Sequence, residues 1–403
     1  MNQGSTPQLA DRLNVLAESA TIAMAVKARE LQAQGHDVIK LTLGEPDFKT
    51  PQFIQDAAVE AIQSGNHFKY TPVPGYPALR EGIASKLKRD NGLDYKAENI
   101  VVSTGAKQSL INVLLSVVNK DDEVIVFTPY WVTYVEQVKL AEGVPVLVEG
   151  SLEKDFKVTP EQLRAAITPK TKAIMYSSPC NPTGSVYTKE ELEALAEVLK
   201  DYPEIFVISD EIYEYINFGG EHASMAAIEG MKERTIIVNG FSKGHAMTGW
   251  RLGYIAAPLE VAKACNKIQG QVTSGTCAIT QAAAITAVTG PLDETNKMKD
   301  AYLRRRDLVK SLLDEIDGIK TNLPQGAFYI FPDVSAFFGK SFGDTKIENS
   351  VDLTMYLLNE AHVSVVDGGS FGAPKCLRIS FAASDEELKE ACSRIKSALE
   401  KLA

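Results

Sequence analysis

Between residues 100 and 256 the chain lays down a series of short apolar runs: Ile100–Val102, Val124–Phe127, Ala173–Tyr176, Phe206–Ser209, Thr235–Val238 and Gly253–Ala256. Several of them carry Val and Ile on consecutive positions instead of alternate ones. A strand that is apolar on both faces has to be covered on both faces, so the pattern predicts a mostly parallel sheet held between two layers of helices. The intervening segments have the matching helical signals. Thr159-Pro160-Glu161-Gln162 is a capping box with proline at the first helical position. Thr188 with Glu191 makes a second box, followed by Leu192, Leu195, Ala196 and Leu199 on one stripe. A last helix starts at Ser384, with Glu387 at the box position and Leu388, Cys392, Ile395, Leu399 and Leu402 along one face. Strand–helix alternation over about 100–290 indicates one large α/β domain, an α/β/α sandwich.

The pattern changes after about residue 300. A charged helix over Lys297–Glu315 is followed by strands near Phe328–Phe331, Val363–Val366 and Leu377–Ser380, mixed with helices. This reads as a smaller α+β domain. The expected division is a large domain over 51–295, a small C-terminal domain over 296–403, and a segment 1–50 that contributes to the small domain. That segment contains one predicted helix, Thr21–Gln34.

Composition removes several function classes. Hydrophobic residues at 45% and charged residues at 23% describe a chain able to bury a core. Acids outnumber bases 52 to 42, a net charge of −10, which argues against a general nucleic-acid surface. No apolar run approaches the ~18–20 residues of a membrane span. Met1-Asn2-Gln3-Gly4-Ser5 lacks the basic head and apolar core of a secretory signal, so the cytoplasm is the expected compartment. The cysteines (Cys180, Cys265, Cys277, Cys376, Cys392) are widely spaced and form no C-x-x-C pair, as free thiols would be. The histidines show no ligand spacing, and no metal is expected.

Four segments carry candidate chemistry, and each follows a predicted buried strand. In Gly240-Phe241-Ser242-Lys243-Gly244, a lysine at a strand end between glycines can reach into a cleft, where burial lowers its pKa and frees its amine to form a Schiff base. Alone, Lys243 cannot be told from a solvated loop lysine. In Ile208-Ser209-Asp210-Glu211-Ile212-Tyr213, a carboxylate stands at the carboxyl end of a parallel strand, where ligands bind in open α/β sheets. Paired with a protonated ring nitrogen at ~4 Å and an effective dielectric of ~20, it is worth about 4 kcal/mol. That is about a thousandfold in rate if realised only in the transition state. Ser177-Ser178-Pro179-Cys180-Asn181-Pro182-Thr183-Gly184 is a rigid turn that offers Asn181 as a neutral donor. Ser103-Thr104-Gly105-Ala106-Lys107-Gln108 opens a helix with small residues whose N–H groups and dipole favour a phosphate. It is neither G-x-G-x-x-G nor a Walker loop, so nicotinamide and nucleotide readings lack their main support.

Together, and over nearly the whole chain from Gly44-Glu45-Pro46-Asp47-Phe48 to Leu377-Arg378-Ile379-Ser380, these segments resemble the fold-type I pyridoxal-phosphate enzymes. Within them the chain is similar to the class I aminotransferases, in the bacterial aspartate aminotransferase branch. The resemblance implies pyridoxal 5'-phosphate as cofactor, Lys243 as the lysine that binds it covalently and shuttles the substrate proton, and Asp210 as partner of the ring nitrogen. It implies Tyr213 and Asn181 on the ring's phenolic oxygen, with Trp131 stacked on the ring. The phosphate would rest on Gly105, Ala106, Ser242 and Arg251, beside Lys107, with Tyr70 reaching in from a second subunit of a homodimer. Arg378 and the Gly44 N–H would hold the substrate α-carboxylate. The family often has a cis bond at the position of Asn181-Pro182. Gly244 and Cys180 depart from many relatives, which bears on fine substrate choice and not on reaction class. Lys107, facing a distal carboxylate, and Thr21, near the entrance, point to L-aspartate plus 2-oxoglutarate. Prephenate or aromatic amino acids are the alternative substrates. A pyridoxal-phosphate lyase shares the same core residues. A DNA-binding regulator built on this fold would need an added N-terminal module, and only about 50 residues precede the large domain.

Overall fold

The computed structural model describes residues 8–18 and 20–403, so the leader argument built on Met1–Ser5 lies outside the described residues. A seven-stranded sheet forms the centre, and its strands in chain order are β1 (Ile100–Ser103), β2 (Glu123–Thr128), β3 (Val144–Glu149), β4 (Thr171–Ser177), β5 (Phe206–Asp210), β6 (Thr235–Gly240) and β7 (Gly253–Ala256). Across the sheet they lie β3-β2-β4-β5-β6-β7-β1. β7 runs antiparallel to both its neighbours, and every other recorded pairing is parallel.

The consecutive apolar residues have the reason the sequence suggests. Ile208 and Val238 join Val101, Leu110 and Ile255 in a core on one side of the sheet. Val207 faces the other side with Ile174, Leu192 and Leu195, and Ile237 does so with Ile100, Leu79 and Ile83. Both layers exclude water, and the inner strands and the edge strand β1 are buried along nearly their whole length. β3 is absent from the sequence reading. It is an edge strand with an exposed, irregular face and a proline, Pro145, whose missing N–H is tolerated at an edge.

The second packing unit mixes chain ends. Ile39–Lys40 pairs in parallel with Val363–Ser364. Leu377–Ser380 is the middle strand of an antiparallel trio with Val366–Asp367 and Tyr329–Ile330. Ile39, Leu41, Tyr302, Phe328, Leu357 and Leu388 share one core with them. The charged helix begins at Asp293, four residues before the expected start, because Asp293 and Glu294 suit its first turn. The last helix has the full capping box of Ser384 and Glu387. Cis peptide bonds occur at Thr128-Pro129 and Ser178-Pro179, and the Asn181-Pro182 bond is trans. All five cysteines are free. Among the described residues no helix is long and apolar enough to cross a membrane.

Candidate active site

The parallel strands deliver the candidate residues to one end of the sheet. β4, β5 and β6 end at Ser177, Asp210 and Gly240, and in the ladder Ser177 lies opposite Asp210 and Asp210 opposite Val238. Asn181, Tyr213 and Lys243 follow within a few residues of these ends. Beyond β1, Gly105 takes a φ of +82° as the cap of the helix Ala106–Val117. A Cβ there would stand 2.5 Å from Arg251 Nη2, so glycine is what lets the guanidinium lie against this turn. Gly253 of β7 performs the same service from below, since a Cβ would meet the Ala106 nitrogen at 2.2 Å. The first-turn N–H groups of Ala106 and Lys107 have no partner among the described residues. Helix N-terminus, Arg251 and buried Ser242 therefore make an anion-binding corner.

Lys243 is partly buried. Its Nζ donates to the Gly44 carbonyl and stands 5.7 Å from the Tyr213 ring centroid. Burial pulls its pKa down to about 8. Glu45 opposes that shift, and Arg378 and Arg251 reinforce it. Asp210 is buried, and burial pushes its carboxyl up to about 6. Two donors hold the shift there, the Tyr134 hydroxyl to Oδ2 at 2.6 Å and the Ile212 N–H to Oδ1 at 3.2 Å. The pair thus offers an amine and a carboxylate that both titrate near neutrality, which is uncommon outside functional sites.

Arg378 is 1% exposed on the middle strand of the smaller sheet. Nη1 donates to Asn181 Oδ1 at 3.0 Å, Nη2 donates to the Thr42 carbonyl, and Nε has no partner. The guanidinium packs 4.6 Å from the Tyr329 ring and 4.9 Å from Phe371. Tyr213 and Tyr329 share a 2.8 Å hydrogen bond. Lys243, Tyr213, Tyr329, Arg378 and Asn181 are therefore one connected set. With Asn181 Oδ1 bound to Arg378, its amide nitrogen is free to donate. Trp131 is half-buried, edge-on to Tyr134, with the Lys107 ammonium 4.9 Å from its ring. Lys107 is exposed at the mouth. Partial desolvation of its ammonium, then Arg251, lowers its pKa.

Two expected residues stand apart. Tyr70 is 97% exposed on the single chain and joins none of these contacts. Thr21 lies on the helix Ala20–Ala33, and among the described residues no hydrogen bond ties it to the cleft. The sequence reading missed Tyr134 and Tyr329. Tyr134 stands one helical turn beyond Trp131, a spacing that could have found it, whereas Tyr329 reads only as an aromatic in a short strand.

A family model described as "Aminotransferase class I and II" matches residues 36–395. The aspartate aminotransferase of Bacillus subtilis (strain 168) is 46% identical over 396 residues, 98% of this chain and 99% of that one. The aspartate/prephenate aminotransferase of Cereibacter sphaeroides is 47% identical over 392 residues, 96% of this chain and 98% of the relative. Among solved structures, the aspartate aminotransferase of Rhizobium meliloti superposes with a TM-score of 0.95 at 41% identity, covering 99% of this chain and 100% of that one. The Thermus thermophilus enzyme with maleate gives 0.91 at 41% identity, covering 98% and 100%.

Proposed function

The chain belongs to the aminotransferase class I and II family, and we propose that it transfers the amino group of L-aspartate to 2-oxoglutarate, giving oxaloacetate and L-glutamate, with pyridoxal 5'-phosphate as cofactor. The observation that carries this reading is the convergence of Lys243, Asp210 and Arg378, from three different elements, on one cleft. That cleft has cations at Lys107, Lys243, Arg251 and Arg378 against the carboxylates of Asp210 and Glu45. Such an excess of positive charge fits a dianionic phosphate and a substrate carboxylate. The unpartnered Nε of buried Arg378 is a donor that a carboxylate satisfies.

Bound there, the cofactor supplies an electron-withdrawing ring conjugated to the substrate Cα. The protein supplies the rest. Asp210 would hold the ring nitrogen protonated, Tyr213 and Asn181 would donate to the phenolic oxygen, and Trp131 would cover one ring face. The free Ala106 and Lys107 N–H groups, Ser242 and Arg251 would hold the phosphate; the Gly105 N–H, expected there, donates instead to the Ser103 carbonyl at 2.8 Å, so Gly105 serves through its φ of +82° and its missing side chain. Lys243 Nζ would hold the cofactor and, as a free amine, would carry the proton taken from and returned to the substrate Cα. Its lowered pKa leaves a usable fraction of free amine near neutral pH. Arg378 and the Gly44 N–H would hold the α-carboxylate and Lys107 the distal one. We further propose a cytoplasmic homodimer, in which a second copy covers exposed Tyr70 and Phe68 and each copy lends Tyr70 to the other's phosphate corner.

A half-reaction tests the reading. Aspartate added without an oxo acid converts the cofactor's aldehyde absorption band to that of its amine form and releases one equivalent of oxaloacetate. Release of pyruvate or ammonia instead assigns a lyase. Prephenate is the second acceptor to assay, because the Cereibacter sphaeroides relative is named for it.

A further inference from the structure

Adjoining Asp210 in the chain, through Glu211, lies a second buried charged cluster that the proposed reaction does not use. Glu211, Glu214, His222 and Lys86 have side chains 1%, 5%, 6% and 2% exposed. Lys86 Nζ pairs with Glu214 Oε1 and donates to Asn91 Oδ1 at 2.9 Å. Asn91 Nδ2 in turn lies 3.3 Å from Glu214 Oε2. Glu211 Oε1 accepts from Ser224 at 2.6 Å and from Ser209 at 3.0 Å. Its other oxygen, Oε2, lies 3.0 Å from His222 Nε2 in an ion pair without hydrogen-bond alignment, and His222 Nδ1 has no partner among the described residues. The ligand atoms of Glu211, Glu214 and His222 lie within 4.8 Å of one another, a spacing that could suit a cation. The Lys86 ammonium already supplies one.

The charge count is then decisive. Two carboxylates and one ammonium leave a net −1 buried, and a bare buried charge is costly. A protonated His222 brings the cluster to neutrality. The charged groups acting on the ring are Glu211 and Glu214 beyond β5 and Lys86 on the helix Pro77–Asn91; the hydroxyls of Tyr95, Tyr176 on β4 and Tyr254 on β7 lie near Glu211, and Tyr215, Tyr254 and Asp90 lie near Glu214 or one another. Burial opposes protonation of His222, and Glu211, with Glu214 behind it, outweighs burial and raises its pKa.

Glu211 is the residue next to Asp210, and its negative charge is one of the influences that push the Asp210 carboxyl toward its neutral form. We propose that His222 is a positioning residue for the reaction: its protonated ring neutralises Glu211 and so allows Asp210 to stay an anion against the cofactor's ring nitrogen. This rests on the pyridoxal-phosphate reading of the cleft. It adds a role for a residue outside the cleft, acting through its ion pair.

The test uses the cofactor-loaded enzyme and three variants, His222→Gln, Glu211→Gln and the double variant. Two quantities are followed against pH: the visible band of the bound cofactor, and kcat/KM for aspartate. Melting temperatures report the fold. In His222→Gln the acidic limb of the profile moves up by about one unit, equivalent to roughly tenfold lower kcat/KM at a pH on that limb. Glu211→Gln leaves the limb at or below its wild-type position. The double variant returns to within about twofold of wild type, because both members of the pair are then neutral. A purely structural role gives instead additive losses and no movement of the limb. The inference is overturned if His222→Gln superimposes on wild type, if Glu211→Gln raises the limb, or if the double variant is no better than His222→Gln. Glu211→Gln keeps the test decisive should His222→Gln fail to fold. Absence of the cofactor band in the wild-type enzyme would count against the proposed function instead, so the two failures are distinguishable.

Discussion

At the scale of single residues, the site depends on buried ionisable groups held away from their ordinary behaviour. Asp210 is the clearest case. Burial raises its pKa and the Tyr134 hydroxyl restrains that rise. Tyr134→Phe should therefore move the acidic limb of kcat/KM for aspartate to higher pH while leaving the fold intact, which a pH–rate profile beside a melting curve will show. Asp210→Ala should cost about a thousandfold in kcat/KM, from the ~4 kcal/mol assigned to its pairing with the ring nitrogen. Lys107→Ala should raise KM for aspartate far more than KM for phenylalanine, measured side by side, and equal effects would remove the basis for the dicarboxylate reading. Lys243, Asp210 and Asn181 stand out in the sequence because each follows closely on a buried strand in a short motif, whereas Arg378, inside the strand Leu377–Ser380, is singled out only by the family resemblance. Tyr329 was not legible there, since its role comes from packing under Arg378 at 4.6 Å, which no local spacing encodes. His222 was equally silent, because its partner Glu211 reaches it only through the loop that follows β5.

At the scale of elements, the helix Ala106–Val117 is positioned by its approach to the sheet and to Arg251 more than by its own propensity. Gly105→Ala places a Cβ 2.5 Å from the Arg251 guanidinium at a φ of +82°. Its strain, of the order of 1–3 kcal/mol for a non-glycine residue at such a φ, should weaken cofactor retention by roughly five- to hundredfold. Equilibrium dialysis of the cofactor will measure it. The inner strands were readable because burial on both faces writes consecutive apolar residues, as Val207 and Ile208 show by packing into different cores. β3 escaped because an edge strand with Pro145 and exposed Val144 and Leu147 has no such constraint. The antiparallel direction of β7 was also invisible, since direction is set by the connection and not by the strand's composition. The small unit's strands were found only approximately. Val363–Ser364 and Val366–Asp367 are two strands in different sheets where the sequence suggested one.

At the scale of the whole molecule, the cleft lies where the large sheet meets the smaller one, with Arg378 contributed by the latter and Lys243 by the former. We propose that these are the two domains expected from the sequence, 51–295 against 296–403 joined by 1–50. Holding an ammonium in that cleft costs stability in the absence of the cofactor. The folded pKa of Lys243, about 8, lies below its ordinary 10.5. Below pH 8 the amine is charged in both folded and unfolded chains, and the full burial penalty is present. Between pH 8 and 10.5 the folded state gives up its proton first, so the penalty fades as pH rises. Lys243→Met should accordingly stabilise the cofactor-free protein at pH 7, by no more than about 3 kcal/mol, with the gain shrinking above pH 8. Thermal melts at a series of pH values will follow it. The proposed dimer has its own test, since kcat per chain should fall on dilution through the dissociation range, and Tyr70→Phe should loosen the cofactor without changing the monomer's fold.

The most direct single measurement is chemical. Borohydride reduction of the cofactor-loaded enzyme, followed by proteolysis and mass mapping, should find one pyridoxyl adduct per chain, on the peptide Phe241-Ser242-Lys243. An adduct on any other lysine, or none, would contradict the assignment of Lys243 and the mechanism that depends on it.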